Sequence, residues 1–349
     1  MQPVELSVMP ASPSKQEKGE MGDEGEKGGE GVDTAESPDT PNTPNAATGA
    51  TEVVKKEKLL LVSECHLVSG LSHRPRGWCG MAQIEEGAVL VVGANKSASN
   101  SNTCIIVRYT AEPEGLSQES IPCPIPAGRF GLSATRLGDK VYVFGGCCAS
   151  NQAACNDMYE YSIPDKTWRQ IATKQWGWPG PRSCHSAVVL DGRLVIAGGV
   201  EWKPLTDAWA FDPAGGRWCK LPDAPARFYG SASSVVSDTL HIWGNRTNNF
   251  RSMHLSYTKE GGWVQEKDLA FSASYPACAQ TQGNTLLVGG ARNDTSVHCY
   301  ETVKDKFRFE GEVSLEFKCG RMAILTENRA LLHTTSGTML VSIRTLAQK

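Results

Sequence analysis

The sequence predicts an all-β fold: a β-propeller of six four-stranded blades, closed by an N-terminal strand and preceded by a disordered tail. Three observations predict it. One stretch is written nearly twice, as GRFGLSATRLGDKVYVFGGCCASNQAACNDMYEYSIPDKTW from Gly128 and as PRSCHSAVVLDGRLVIAGGVEWKPLTDAWAFDPAGGRW from Pro181. Aligned on Gly145-Gly146 and Gly198-Gly199, both copies carry an Arg sixteen residues upstream (Arg129, Arg182) and an aromatic seven residues before a Trp (Tyr161 to Trp168, Phe211 to Trp218). The Gly position then recurs at Gly93, Gly145, Gly198, Gly244, Gly289 and, degenerate, near His333, at spacings of 52, 53, 46, 45 and 44. A fixed period of this length, with turn residues at fixed offsets, marks a repeat architecture.

Residues 1–57 are a different material. They hold no aromatic and no cysteine, and to Lys58 they carry twelve acidic against six basic side chains. Such a segment buries too little apolar surface to offset its ordering entropy, so an acidic, Pro/Gly/Ser/Thr-rich disordered tail is expected there, with the propeller over 58–349. Ser12, Ser37, Thr40 and Thr43 each precede Pro and are candidate sites for proline-directed phosphorylation. The opening MQPVELSVMP has no basic stretch followed by an apolar core, and no run of eighteen apolar residues occurs, so neither a secretory signal nor a spanning helix is expected. Twelve cysteines without a signal point to free thiols in a reducing compartment, the cytoplasm with the nucleus also open.

Within the repeats, the runs VYVF and LVIA are short, apolar and bounded by Gly-Asp-Lys or Asp-Gly-Arg turns, so they read as strands buried on both faces. The preceding run pairs with each as a hairpin, and the aromatic-to-Trp segment forms an outer hairpin. LLLVSECHLV from Leu59 has no blade of its own. The last blade in turn lacks a clear fourth strand, and pairing the two closes the ring and removes an open edge. The fourth blade reads Gly244-Asn245 in place of Gly-Gly, the fifth has Phe307 for the outer Trp, and the first shows no outer Trp.

The Gly pairs and the Tyr/Phe-to-Trp spacing resemble the kelch repeat, over roughly residues 59–349. In several kelch adaptors the rim where strand one begins and strand two ends carries arginines that bind acidic peptides. By that resemblance the role falls here on Arg76, Arg129, Arg182 and Arg227, with Trp202, Lys203, Arg246 and Arg292 on loops of the same face. Guanidinium groups suit carboxylate or phosphate through bidentate bonds, and Arg and Trp often anchor interfaces. The same arginines also suit a second role, bonding loop carbonyls as structural staples. Many kelch propellers recruit substrates to cullin–RING ubiquitin ligases behind a BTB or F-box domain, and residues 1–57 are too short and polar to fold as one.

No catalytic constellation is evident: the histidines are scattered, and nucleophile-elbow, phosphate-loop and paired-carboxylate motifs are missing. Cys147, Cys148 and Cys155 supply three sulphurs but no fourth ligand, so no metal or other cofactor is expected. Cys79, Cys184 and Cys319 share a register with Gly131 and Gly230, which reads as a demand for a small side chain near the channel. His185 reads as a satisfied core residue, and Asp157 and Asp207 as turn caps. The expected function is an adaptor that presents an arginine-rich rim to an acidic or phosphorylated protein segment, with neither nucleic acid nor membrane as partner. The alternatives are a propeller hydrolase, isomerase or metal-dependent lyase with a small ligand in the channel, and an actin-associated scaffold.

Overall fold

The computed structural model describes residues 59–67, 78–93, 102–126, 128–172, 177–244, 252–271, 273, 275–281, 284–288, 296–301, 306–312, 320–334 and 337–346. The tail with Ser12, Ser37, Thr40 and Thr43, and Arg76, Arg246, Arg292 and Cys319, lie outside the described residues. The compact unit that carries the fold spans Lys55–Lys349.

Six four-stranded antiparallel sheets follow one another, and the first strand, β1 (Leu59–Leu67), belongs to the last of them. Blade 1 is β2 (Gly80–Glu85), β3 (Ala88–Val92), β4 (Thr103–Ala111) and β5 (Glu114–Pro122). A short pair, β6 (Arg129–Phe130) with β9 (Cys147–Cys148), flanks blade 2, which is β7 (Ser133–Leu137), β8 (Lys140–Phe144), β10 (Met158–Ser162) and β11 (Thr167–Ile171). Blade 3 is β12 (Ser186–Leu190), β13 (Arg193–Ala197), β14 (Ala208–Asp212) and β15 (Arg217–Leu221). Blade 4 is β16 (Ala232–Val236), β17 (Thr239–Trp243), β18 (His254–Thr258) and β19 (Gly262–Gln265). Blade 5 is β20 (Ala277–Thr281), β21 (Asn284–Val288), β22 (Ser296–Glu301) and β23 (Lys306–Glu312). Blade 6 is β24 (Gly320–Thr326), β25 (Arg329–Thr334) and β26 (Thr338–Leu346), completed by β1 in register from Leu59↔Leu346 to Leu67↔Met339. The six-bladed, strand-closed propeller expected from the sequence is the fold.

The apolar strands are continuous runs because each is buried on both sides. Val141 and Val143 of β8 face blade 1, in a core with Leu90 and Ile106. The alternate residues Tyr142 and Phe144 face blade 3, in a core with Leu194, Ile196, Phe211 and Trp218. This period-two alternation repeats around the ring and places a core between each pair of neighbouring blades. The aromatic-to-Trp spacing is the outer hairpin itself: Tyr161 lies opposite Trp168 and Phe211 opposite Trp218, with ring centroids 4.9 and 5.2 Å apart. In blade 1, Leu116 stands opposite Tyr109 and fills the place of the outer Trp.

The Gly at the end of strand two lets the next blade approach. A Cβ on Gly145 would lie 2.6 Å from the Arg182 carbonyl oxygen, and the backbone there has φ +65°, so only glycine fits. The neighbouring Gly146 N–H donates to that same oxygen at 2.9 Å. Gly199 repeats the bond to the Phe228 carbonyl of blade 4 at 2.8 Å. Each glycine pair is therefore a seam between blades.

Candidate functional site: the loop face and the channel

Strand one begins, strand two ends and strand three begins on one face of the propeller. Arg129 and Arg182 enter there, but neither reaches the surface: they are 4% and 1% exposed. Arg182 Nη1 and Nη2 donate to Asp207 Oδ1 and Oδ2 at 2.9 and 2.7 Å, Nη1 also donates to the Gly198 carbonyl at 3.1 Å, and Nε donates to Gly180 O at 3.1 Å. Arg129 repeats the fork on Asp157, with Nη2 to Oδ2 at 3.1 Å and Nη1 to Gly145 O at 3.2 Å, while its buried Nε has no partner. One guanidinium thus ties the start of strand one, the end of strand two and the start of strand three. Partner contact by Arg129 and Arg182 is corrected here: their donors are committed inside the blade, and they are staples.

Asp157 and Asp207 are corrected with them. They are the staples' acceptors rather than turn caps, and each also accepts from its own strand, from Tyr159 Oη at 2.8 Å and Trp209 Nε1 at 2.7 Å. Burial pushes the Asp207 carboxyl up, but the bonds and charge of Arg182, with the Trp209 indole, hold it below the usual carboxylate value.

Arg227 behaves differently because it stands seventeen residues before its Gly rather than sixteen. The sixteenth place in blade 4 is Phe228, fully buried, and Arg227 is exposed beside it. Arg76 has the same seventeen-residue offset from Gly93. The loop carrying Trp202 and Lys203 meets this corner. Val200 bridges Ser183 on one side and Pro204 on the other, and Leu205 bridges Phe228. Trp202 stands at the tip, 90% exposed, with Glu201 and Lys203 exposed on either side. The structure therefore brings Trp202, Lys203 and Arg227 to one corner between blades 3 and 4.

Sequence reasoning missed an aromatic cluster at the inner end of this face. Trp78 of blade 1 stacks on Tyr275 of blade 5 with centroids 5.0 Å apart, and Phe130 and Tyr229 pack edge-on at 5.9 and 6.1 Å. Counting back fifteen residues from Gly93, Gly145 and Gly244 would have found Trp78, Phe130 and Tyr229.

Further in, Cys184 donates its N–H to Gly131 O, and Gly230 N–H donates to Cys184 O, both at 2.7 Å. These residues have φ of 54°, 66° and 63°, and Tyr275 follows in the same register with φ 51°. At Gly131, Cys184, Gly230 and Tyr275 the slot has a left-handed backbone, and a Cβ on Gly230 would collide with the Tyr275 ring, so a small side chain is needed there while Tyr275 itself departs from the expected small residue. Burial and Arg321 act on the Cys79 thiol in opposite senses, and burial prevails, raising it to about 12.

His185 is also corrected. Its Nε2 is 2.8 Å from Ser133 Oγ, but its Nδ1 is buried without a partner. In the cysteine loop, Cys148 Sγ and Cys155 Sγ are 3.4 Å apart, and among the described residues no group of three His, Cys, Asp or Glu is arranged to hold a metal. No helix among the described residues is long and apolar enough to cross a membrane.

Against known families, the model of the KLHDC2/KLHL20/DRC7 Kelch-repeats domain matches residues 79–267, more than half of the chain. The chain belongs to the kelch-repeat propellers. This kelch chain is 31% identical over 140 residues to Kelch domain-containing protein 10 of Xenopus tropicalis, covering 38% of this chain and 34% of that protein. To the human protein of the same name it is 29% identical over 145 residues, covering 40% and 33%. The Drosophila melanogaster homologue of leucine-zipper-like transcriptional regulator 1 matches at 22% over 244 residues, covering 61% and 24%. The chain thus spans about a third of the length of the first curated relatives it matches. The solved structure titled "Structure of YjhT" superposes with a TM-score of 0.61 at 13% identity, covering 80% of this chain and 97% of that one, a likeness of fold alone. Kelch propellers typically bind proteins.

Proposed function

We propose that this kelch propeller is a non-enzymatic interaction scaffold whose loop face receives an acidic or phosphorylated segment of a partner protein. The observation that carries this reading is the corner between blades 3 and 4. There a 90% exposed Trp stands on a loop pinned by backbone bridges, with Lys203 and Arg227 beside it. A large aromatic held in solvent by a fixed loop is the form of an interface anchor, and neighbouring cations complement a carboxylate or phosphate. Arg76, Arg246 and Arg292 extend the proposed cationic rim by their place in the sequence. Phosphorylation at Ser12, Ser37, Thr40 and Thr43 would add charge to the segment preceding the propeller, and the proposed setting is the cytoplasm or nucleus. Substrate selection for a cullin–RING ubiquitin ligase is the specific form of scaffold that the family resemblance suggests.

The test is proximity labelling in cells, with wild type beside Trp202→Ala/Arg227→Glu. These exposed substitutions are expected to shift stability by less than about 0.5 kcal/mol while removing a defined set of labelled proteins. Matching interactomes with an unchanged melt would move the site away from this corner. Cullin among the lost proteins would support the ligase form.

A further inference from the structure

Strand two of blade 2 runs into a tight hairpin, CCASNQAAC from Cys147, that returns toward strand three. Cys148 and Cys155 stand at its base, with their sulphurs 3.4 Å apart. Both are free thiols and half-buried, while the turn between them, residues 149–153, is exposed. Backbone bonds hold the two in place. Cys148 N–H donates to Ala153 O at 3.0 Å, and Gln152 N–H to Cys148 O at 2.8 Å. Cys155 N–H donates to Gly146 O at 2.8 Å, and its carbonyl accepts from Arg182 N–H of blade 3 at 3.0 Å. Cys148 also lies opposite Arg129 in the β6–β9 pair. The frame of the blade therefore sets the sulphurs side by side. A disulfide bond is about 2.05 Å long, so roughly 1.3 Å of travel separates these thiols from one.

Other cysteines differ in access or in neighbours. Cys104 and Cys123 also interact, but they are 1% and 9% exposed within the blade 1 core. Cys147 is buried, with its sulphur 3.9 Å from the Cys148 carbonyl, and Cys219 is exposed on the outer strand of blade 3. Access and proximity coincide at Cys148 and Cys155.

The geometry points to Cys148 and Cys155 as a reversible redox site: a peroxide oxidant converts the pair to an intramolecular disulfide that fastens the exposed turn to the loop face of blade 2. This site is independent of the partner proposed above. Burial, then the bond with Cys148, raises the Cys155 thiol to about 12 against the pull of Arg129. Cys155 therefore keeps its proton, and Cys148 is the sulphur that meets the oxidant. The Cys148 thiolate attacks one peroxide oxygen, the O–O bond breaks, and the departing hydroxide takes up a proton and leaves as water. Cys155 Sγ then attacks the sulphur of the resulting sulfenic acid. The S–S bond forms as the S–O bond breaks, and the Cys155 proton leaves with the hydroxide as a second water. Two thiols thus give up two electrons, and one peroxide is reduced to two waters. A dithiol reductant reverses the step by exchange. In the reducing setting proposed above such a link is transient, which suits a sensor rather than a permanent bridge.

The experiment treats the reduced full chain with a small excess of hydrogen peroxide, unfolds it, alkylates the remaining thiols and maps its tryptic peptides by mass. The peptide from Val141 to Lys166 should lose two hydrogens and two alkylation sites, and dithiothreitol should restore both. Cys104 and Cys123 should remain alkylatable, as an internal control. Cys147→Ser should leave the loss intact, whereas Cys148→Ser and Cys155→Ser should each abolish it. Cys155→Ser should in addition stall at a sulfenic acid on Cys148 that dimedone traps. If one of these two serine variants does not fold, the other decides. Oxygen added at Cys148 or Cys155 of the wild type without a link, disulfides between chains, or a link that survives either substitution overturns the proposal.

Discussion

Blades 3 and 4 solve the same problem with opposite chemistry. In blade 3 the slot sixteen residues before the Gly holds Arg182, and the place before strand three holds Asp207. In blade 4 those two places hold Phe228 and Met253, which share one apolar core. The backbone is the same in both: Gly198 N–H donates to Asp207 O at 3.0 Å, and Gly244 N–H to Met253 O at 2.9 Å. The slot therefore asks to be filled and closed, and either an ion pair or an apolar pair does it. A buried pair of charges attracts strongly but loses its hydration, so an apolar pair of similar volume is often as stable. Which chemistry fills the slot also decides what stands beside it, since in blade 4 the Arg lies one residue earlier and faces solvent.

The largest effect should come from breaking the blade 3 pair on one side. Arg182→Ala leaves Asp207 with only the Trp209 indole as a side-chain donor and removes the Arg bond to the Gly198 carbonyl, and a loss of about 3–5 kcal/mol is expected in urea unfolding. Arg129→Ala should cost less, because Arg182 satisfies its Nε and Arg129 does not. A melt unchanged by Arg182→Ala would return that residue to the list of partner contacts.

A transplant sharpens the comparison. Arg182→Phe with Asp207→Met copies blade 4 into blade 3 and should recover at least half of the stability lost by Arg182→Phe alone. A double variant no better than the single would mean that the slots differ in shape as well as in chemistry.

Acid should discriminate most gently. Asp207 is held below its ordinary value in the fold, so its stabilisation is complete above the unfolded carboxylate value, about pH 3.9, and is lost as pH falls through the depressed folded value. The transplanted variant lacks this carboxylate, so its unfolding free energy should fall less steeply below that pH. Parallel slopes in the two proteins would assign the acid sensitivity elsewhere.

Much of this was legible in the sequence. The glycine period gave the blade count, and the orphan strand at Leu59 matched the blade short of one, because strand pairing leaves a local signature that repeats. The role of the arginines was not, because Arg129 and Arg227 look alike until their offset is counted to the residue. A one-residue step turns a side chain from the interior to the rim. The discriminating signal was the acidic partner: Asp157 and Asp207 occur in the two blades with Arg in the inner place, and Met253 replaces them in blade 4. The Trp78–Tyr275 stack was beyond such counting, since residues from blades 1 and 5 must be brought together by the closed ring before they touch.

The pairing of Leu59 with Leu346 sets an order of events for a chain made from its N-terminus. The strand translated first is the one that must wait longest for its mate. Blades 1 to 5 are built from neighbouring hairpins and have their pairs at hand as they emerge. The sixth is completed only when nearly the whole propeller has been synthesised, and that closure carries the largest loop entropy. Until then the first strand has an unsatisfied edge. Of all the pairings in the ring, this one joins the strands furthest apart in sequence.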